Sequence, residues 1–253
     1  VYQLSISSFE VLGNEMSFSN GGEYPPIVLP LENGKKIEIT GKIDRVDIGK
    51  MKDGKYIRII DYKSSAKNIE LNQVVAGLQI QLLTYMDAIT RIEDVLPAGV
   101  LYFNLIEPFI KNDRNLTEYE IEEEIKKQFK MKGLILADIN IIKSMDNKLE
   151  KGYSNILPVY IDKDGNISPN RSSVATKEDF ENMQKYINRL IKRISKEILS
   201  GKIDIKPCYD SKTKNTPCSY CAYKSICKFD TSKNEYEYIG SISKDECMEK
   251  MKQ

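Results

Sequence analysis

The sequence predicts an α/β fold, a mixed central sheet flanked by helices, with a cysteine-rich carboxy-terminal tail. Three observations predict it. The stretch 41–65, GKIDRVDIGKMKDGKYIRIIDYKSS, reads as two strands about an Asp53-Gly54 turn signal, with Val46, Ile48, Tyr56, Ile57, Ile59 and Ile60 as strand formers. Downstream, apolar residues recur at helical spacing. Residues 98–106, AGVLYFNLI, form a near-continuous apolar run, as expected of a strand buried on both faces. A hairpin, a helix and a buried returning strand in that order make a mixed sheet.

Each element has its own signal. In 1–24, Phe9, Val11, Met16 and Phe18 suggest strand pieces ending at Asn20-Gly21-Gly22. After two prolines, Ile27, Val28 and Leu29 form a short apolar strand, and Asn33-Gly34 is a second hairpin signal. It leads into the alternating 36–40, expected to run on into the main hairpin and give at least three antiparallel strands. A helix is predicted over 72–89, with Val74, Val75, Leu78, Leu82, Tyr85, Met86 and Ile89 as its stripe. Residues 107–116 read as a polar loop. A charged amphipathic helix follows over 117–130, its apolar side Tyr119, Ile121, Ile125 and Phe129, with Glu122 to Glu124 solvated. After Gly133 come a short strand and a helix, then a strand over 156–161 closed by Asp164-Gly165. The clearest helix spans 176–200. Thr176 is its N-cap, Asp179 completes a capping-box variant, and Gly201 is its stop. Phe180, Met183, Ile187, Leu190, Ile191, Ile194 and Ile198 form its stripe. Its outer face carries Lys185, Arg189, Lys192, Arg193 and Lys196, either a solvated surface or a contact for DNA backbone or a partner subunit. There is no repeat and no low-complexity segment.

Composition narrows the chemistry. The 38 basic and 37 acidic residues nearly cancel, so nucleic-acid binding needs a local groove. The absence of histidine excludes His-based acid–base catalysis, Ser-His-Asp and Cys-His chemistry, and His metal ligands within this chain. No apolar run spans a bilayer and no signal peptide is evident. The expected location is cytoplasmic, with no membrane partner. The chain does not begin with Met, and it is expected to be a domain cut from a longer protein. Five cysteines without a secretory signal point to a metal or cluster rather than to disulfides.

The hairpin brings Asp44 close to Asp61, and Lys63 shares a strand face with Asp61. Two carboxylates make an oxygen-only site suited to Mg²⁺ or Mn²⁺, which polarise phosphate oxygens and activate water. The lysine can stabilise charge building on a phosphoryl group. An Asp and a Lys two apart on a strand can also be an ordinary surface ion pair. The apolar run Ile57, Ile59, Ile60 before Asp61 argues against that, because a half-buried carboxylate is costly unless paired or metal-bound. Gln81 and Tyr85 lie one helical turn apart, as core and boundary residues or as the lining of a groove beside the metal. Cys218, Cys221 and Cys227, spaced C-x2-C-x5-C, suit a shared zinc ion or a [4Fe–4S] cluster. Cys208 and Cys247 are the candidates for a fourth ligand inside the chain.

Together, Gly41 and Asp44, then Asp61-Tyr62-Lys63-Ser64, then Gly77, Gln81 and Tyr85 resemble the RecB-like branch of PD-(D/E)XK nucleases. The tail PCSYCAYKSICKFD and the segment KGLILADINIIKSMD look like the AddB component of AddAB-type helicase–nucleases. The resemblance implies a restriction-endonuclease-like core over 1–206, with an insert at about 107–158, and an iron–sulfur-type tail over 207–253 packed on it. It implies an exonuclease that hydrolyses one unwound strand at a double-strand break, for recombinational repair, as a heterodimer with an AddA-type helicase–nuclease subunit. Mg²⁺ or Mn²⁺ would be held by Asp44, Asp61 and the backbone carbonyl of Tyr62. Lys63 would be the catalytic lysine, and Gln81 and Tyr85 would touch the DNA. A [4Fe–4S] cluster would take Cys218, Cys221 and Cys227, with its fourth ligand upstream of this chain. The family's upstream histidine is also absent here. Glu10 and Glu15 are candidates to replace it, and an isolated fragment is expected to lack part of the site. Two other readings are a non-catalytic scaffold that binds a DNA end and docks the helicase, and a standalone Cas4-like nuclease. The presence of Asp44, Asp61 and Lys63 argues against the first, and the long insert against the second.

Overall fold

A computed structural model describes residues 2–105, 107–110 and 116–253. One helical turn, α1 (Tyr2–Ser5), precedes β1 (Glu10–Phe18). A small antiparallel pair follows, β2 (Ile27–Pro30) with β3 (Lys36–Ile39), and then the main hairpin of β4 (Gly41–Met51) and β5 (Gly54–Lys63). The hairpin loop is Lys52-Asp53, one residue ahead of the expected centre. Gly54 closes it at φ +150°, and the Tyr56 hydroxyl donates to Asp53 at 2.8 Å.

Next come α2 (Leu71–Val75), α3 (Gln81–Thr90), β6 (Leu96–Asn104), α4 (Glu118–Gln128), β7 (Lys132–Leu136) and α5 (Ile139–Met145). The chain then passes through β8 (Gly152–Tyr153), β9 (Tyr160–Ile161) and β10 (Val174–Ala175) into the long α6 (Lys177–Leu199). The tail holds β11 (Cys208–Asp210), α7 (Lys224–Cys227), β12 (Glu237–Ile239) and α8 (Lys244–Lys252). Among the described residues no helix is long and apolar enough to cross a membrane.

The central sheet runs β1-β4-β5-β6-β7-β10. It is mixed, with β5/β6 and β7/β10 parallel and the other pairs antiparallel. Six consecutive residues of β5, Tyr56 to Asp61, are buried, so this strand is covered on both faces. Each fully buried Ile there stabilises the fold by roughly 1.5–3 kcal/mol. Helix α3 packs on β5 and β6, α6 packs on α3, and α8 packs on α6 and α2.

Four expectations are corrected. Strand β3 does not join the central sheet, because β1 occupies the free edge of β4, with Phe18 opposite Gly41. The helix over 72–89 is two helices. Gly77, at φ +81°, ends α2 in a Schellman motif: its N–H reaches the Val74 carbonyl and that of Leu78 reaches the Gln73 carbonyl. Leu78, in the expected stripe, is consequently exposed. The strand over 156–161 shrinks to Tyr160–Ile161, because the Ser154 hydroxyl accepts the N–H groups of Ile156 and Leu157 and curls the preceding chain. Strand β6 ends at Asn104. Ile106, assigned to it from the sequence, and 111–115 of the polar loop lie outside the described residues.

The capping boxes at Thr117/Glu120 and Thr176/Asp179 form. The basic face of α6 is partly engaged. Arg189 donates to the Met251 carbonyl at 2.9 Å, fastening α8, and Lys196 pairs with Glu32 at 2.5 Å.

Candidate active site

The hairpin register builds the site. Arg45 lies opposite Ile60 and Asp47 opposite Arg58. One step further, Asp44 stands across from Asp61, and facing residues of an antiparallel pair share a sheet face. Asp44 Oδ2 accepts the Tyr62 N–H at 2.9 Å. Asp61 is 2 % exposed, with the Lys63 ammonium 2.5 Å from its Oδ2. Lys63 Nζ also donates to Gln81 Oε1 at 3.3 Å, and Gln81 Nε2 donates to the Tyr85 hydroxyl at 2.8 Å. The break at Gly77 places Gln81 at the first position of α3, exposed, with Tyr85 one turn on and buried. The structure therefore gathers Asp44, Asp61, Tyr62, Lys63, Gln81 and Tyr85 at one end of β5.

Gly41 serves this arrangement through space. A Cβ there would stand 2.5 Å from the Phe18 ring and 3.3 Å from that of Tyr85. Those two rings meet edge to face, 5.7 Å apart. Tyr102, from β6, forms the floor, its ring centroid 5.8 Å from Lys63 Nζ.

Burial pushes the Asp61 carboxyl above the usual carboxylate range. Lys63 opposes the rise and the neighbouring Asp44 adds to it. Burial likewise raises the Tyr85 hydroxyl, and the Tyr102 hydroxyl is pushed up to about 12 by burial and then by Asp61. Two carboxylates against one lysine leave local negative charge in excess. The Lys63 ammonium pairs with the buried Asp61 Oδ2. Two carboxylates that share one ammonium fit a hard divalent cation, which takes one or two carboxylates and completes its shell with water and substrate phosphate.

The opposite face of the hairpin carries charges that sequence reasoning did not single out. Arg45 grips Asp47 with two bonds, Nε to Oδ1 at 2.6 Å and Nη2 to Oδ2 at 2.8 Å. Arg58 Nε reaches Asp47 Oδ2 at 2.8 Å, and its guanidinium lies 5.2 Å from the centre of the Phe9 ring. Asp47 and Arg58 are both fully buried. The signal was an acid and a base at matched distances from the turn inside otherwise apolar strands.

The remaining candidates are placed as follows. Glu10 pairs with Ile48, nearer the turn and away from Asp44. Glu15 lies across from the Asp44 stretch, at φ +58°, and forms an ion pair with Lys42. Cys218 sits in a 3-10 turn, Cys221 caps it and Cys227 ends α7. Cys208 lies on β11, and Cys247 is buried on α8. All five are free thiols. Among the described residues no group of three or more His, Cys, Asp or Glu side chains is placed to hold a metal ion, so the three tail thiols are not gathered as a ligand set.

The family model described as "PD-(D/E)XK nuclease superfamily" matches residues 3–228. Curated relatives named as the B-type subunit of an ATP-dependent helicase/deoxyribonuclease are similar over almost the whole chain. That of Acetivibrio thermocellus is 46% identical over 235 residues, covering 90% of this chain and 20% of the relative. That of Clostridium acetobutylicum is 44% identical over 252 residues, 96% of this chain and 21% of the relative. That of Clostridium tetani is 44% identical over 255 residues, 98% of this chain and 22% of the relative. The chain spans about a fifth of the length of the curated relatives it matches.

Proposed function

This chain belongs to the PD-(D/E)XK nuclease superfamily, and from that premise we propose that it is a metal-dependent deoxyribonuclease domain acting on one unwound DNA strand. The observation that carries the reading is the buried Asp61 carboxylate, beside Asp44 and paired with Lys63. Asp44, Asp61 and the Tyr62 carbonyl are the residues assigned to hold Mg²⁺ or Mn²⁺. Such an ion, when bound, polarises a phosphate oxygen and lowers the pKa of a bound water. Asp44 is oriented for this role by the Tyr62 N–H, which occupies one side of its carboxylate. Lys63 places a positive charge where the phosphoryl group gains negative charge during hydrolysis. Gln81 holds the lysine in position and Tyr85 holds Gln81; both are proposed as substrate-binding residues, with Gln81 the exposed member of the pair.

By likeness to relatives named as helicase/deoxyribonuclease subunits, we place this activity in a cytoplasmic helicase–nuclease that resects double-strand break ends, as a heterodimer with a helicase–nuclease partner subunit. The proposed organisation is a nuclease core over 1–206 and a tail over 207–253. Cys218, Cys221 and Cys227 are proposed as three ligands of a [4Fe–4S] cluster whose fourth ligand lies outside this chain. The residue chemistry suits the cluster, but its thiols do not converge here, and no step is assigned to it. Iron and acid-labile sulfide assays on the purified whole protein, against Cys221→Ser, test that assignment; equal iron in both discards it.

The deciding experiment is Mg²⁺-dependent cleavage of end-labelled DNA by the whole protein with its partner subunit, wild type against Asp61→Ala. Loss of cutting on one strand only is expected. Equal cutting of both strands by the variant rejects the reading.

A further inference from the structure

The sheet register extends the site beyond Lys63. Asp61 pairs with Tyr102 and Tyr102 with Lys132, so all three lie in one row on one face. Lys132 is exposed and stands two strand spacings, about 10 Å, from Asp61. It lines a cleft of about 510 Å³ whose inner walls are the loop after β5 and the α2–α3 turn, and whose outer wall is tail residues between Cys208 and Pro217 together with Ile239.

The cleft is prebuilt. Buried Asn104 clamps the loop by accepting the Lys67 N–H at 2.9 Å and donating to the Lys67 carbonyl at 3.2 Å. Its acids are spent. Asp210 points inward, accepting from Gln73 at 3.0 Å and from the N–H groups of Lys212 and Thr213. Glu70 pairs with Lys212 at 3.4 Å. Among the described residues, the ammonium groups of Lys67 and Lys132, both lining the cleft, have no ion-pair or hydrogen-bond partner. A groove with two uncommitted cations, reached at Lys132 by the row that starts at Asp61, is complementary to a run of phosphates.

We propose that this cleft holds the sugar–phosphate backbone of the substrate strand next to the scissile phosphate, with Lys132 and Lys67 as its phosphate-contacting residues. The proposal rests on the nuclease reading and adds the path of the strand. Contacts of this kind position the strand without reading its sequence.

Lysine footprinting tests it, using the whole protein carrying Asp61→Ala and single-stranded oligothymidylate as the probe. Acetylation of Lys132 and Lys67, quantified by mass spectrometry, should fall several-fold with the oligonucleotide bound, while exposed Lys185 on α6 stays unchanged. No protection, or protection equal to that of Lys185, overturns the proposal. In a wild-type background, Lys132→Glu should slow subsaturating cleavage of the same oligonucleotide about tenfold and flatten its dependence on log salt by about 0.7 per lost contact, with an unchanged melting midpoint. Unaltered cleavage also overturns it. If the nuclease reading itself fails, wild type cuts nothing in Mg²⁺, and the footprint still decides whether the strand lies in the cleft.

Discussion

The two faces of the β4–β5 hairpin carry similar charges to opposite ends. Behind the sheet, Asp47 is held by Arg45 and Arg58. The acid is satisfied from within the chain, Arg58 is fully buried, and the residual charge is positive. In front, Asp44 and Asp61 face a single lysine, which pairs with Asp61, and the residual charge is negative. The strands are the same. What differs is the sign of the surplus: behind, one acid is shared by two guanidinium groups, and in front two acids share one ammonium. An acidic surplus beside an opening is where an external cation and an anionic substrate fit.

Breaking the front face should cost activity and little else. Lys63→Met is expected to lower single-strand cleavage by about 100- to 1000-fold with normal folding by circular dichroism; full activity would remove Lys63 from the chemistry. Breaking the back face should cost the fold. Asp47→Ala strands the buried Arg58 guanidinium, leaves half-buried Arg45 without its carboxylate, and is expected to destabilise by about 3–5 kcal/mol in urea unfolding. Asp61→Asn, which relieves a poorly compensated carboxylate, is expected to be neutral or stabilising in EDTA. Similar losses from both would erase the distinction. Adding Mg²⁺ sharpens it further. At a hundred times its Kd the ion should stabilise wild type by about 2.7 kcal/mol, read as a rise in melting temperature, and leave Asp61→Asn unmoved.

The smallest effect is on pH. Burial, reinforced by Asp44, raises Asp61 above its ordinary value of 3.8 in the folded chain. Between the two values the folded state holds more protons than the unfolded state, so stability falls as pH rises through that window and then levels off. Urea unfolding in EDTA should show this slope in wild type and not in Asp61→Asn.

The β4–β5 hairpin was legible because its signals are local: β-branched residues, a turn dipeptide and carboxylates at strand ends. The split of the helix over 72–89 was hidden because apolar residues keep the helical period on both sides of Gly77, and only its left-handed backbone marks the break. The place of β3 was misjudged because chain adjacency favours a strand next in sequence, whereas β1 arrives first at that edge. The Arg45–Asp47–Arg58 cluster and the row from Asp61 to Lys132 depend on register between strands, which single-strand patterns do not carry. Cysteine spacing named the thiols without bringing them together.

The buried triad has a consequence for how such a sequence can change over generations. Losing Asp47 alone leaves the buried Arg58 cation without its carboxylate, and losing Arg58 alone removes a guanidinium seated on Phe9. Viable routes away from this trio therefore need paired replacements, which are rare. That coupling ties the strand that carries Asp44 to its neighbour, so the spacing of the two carboxylates is guarded by residues on the opposite face of the sheet.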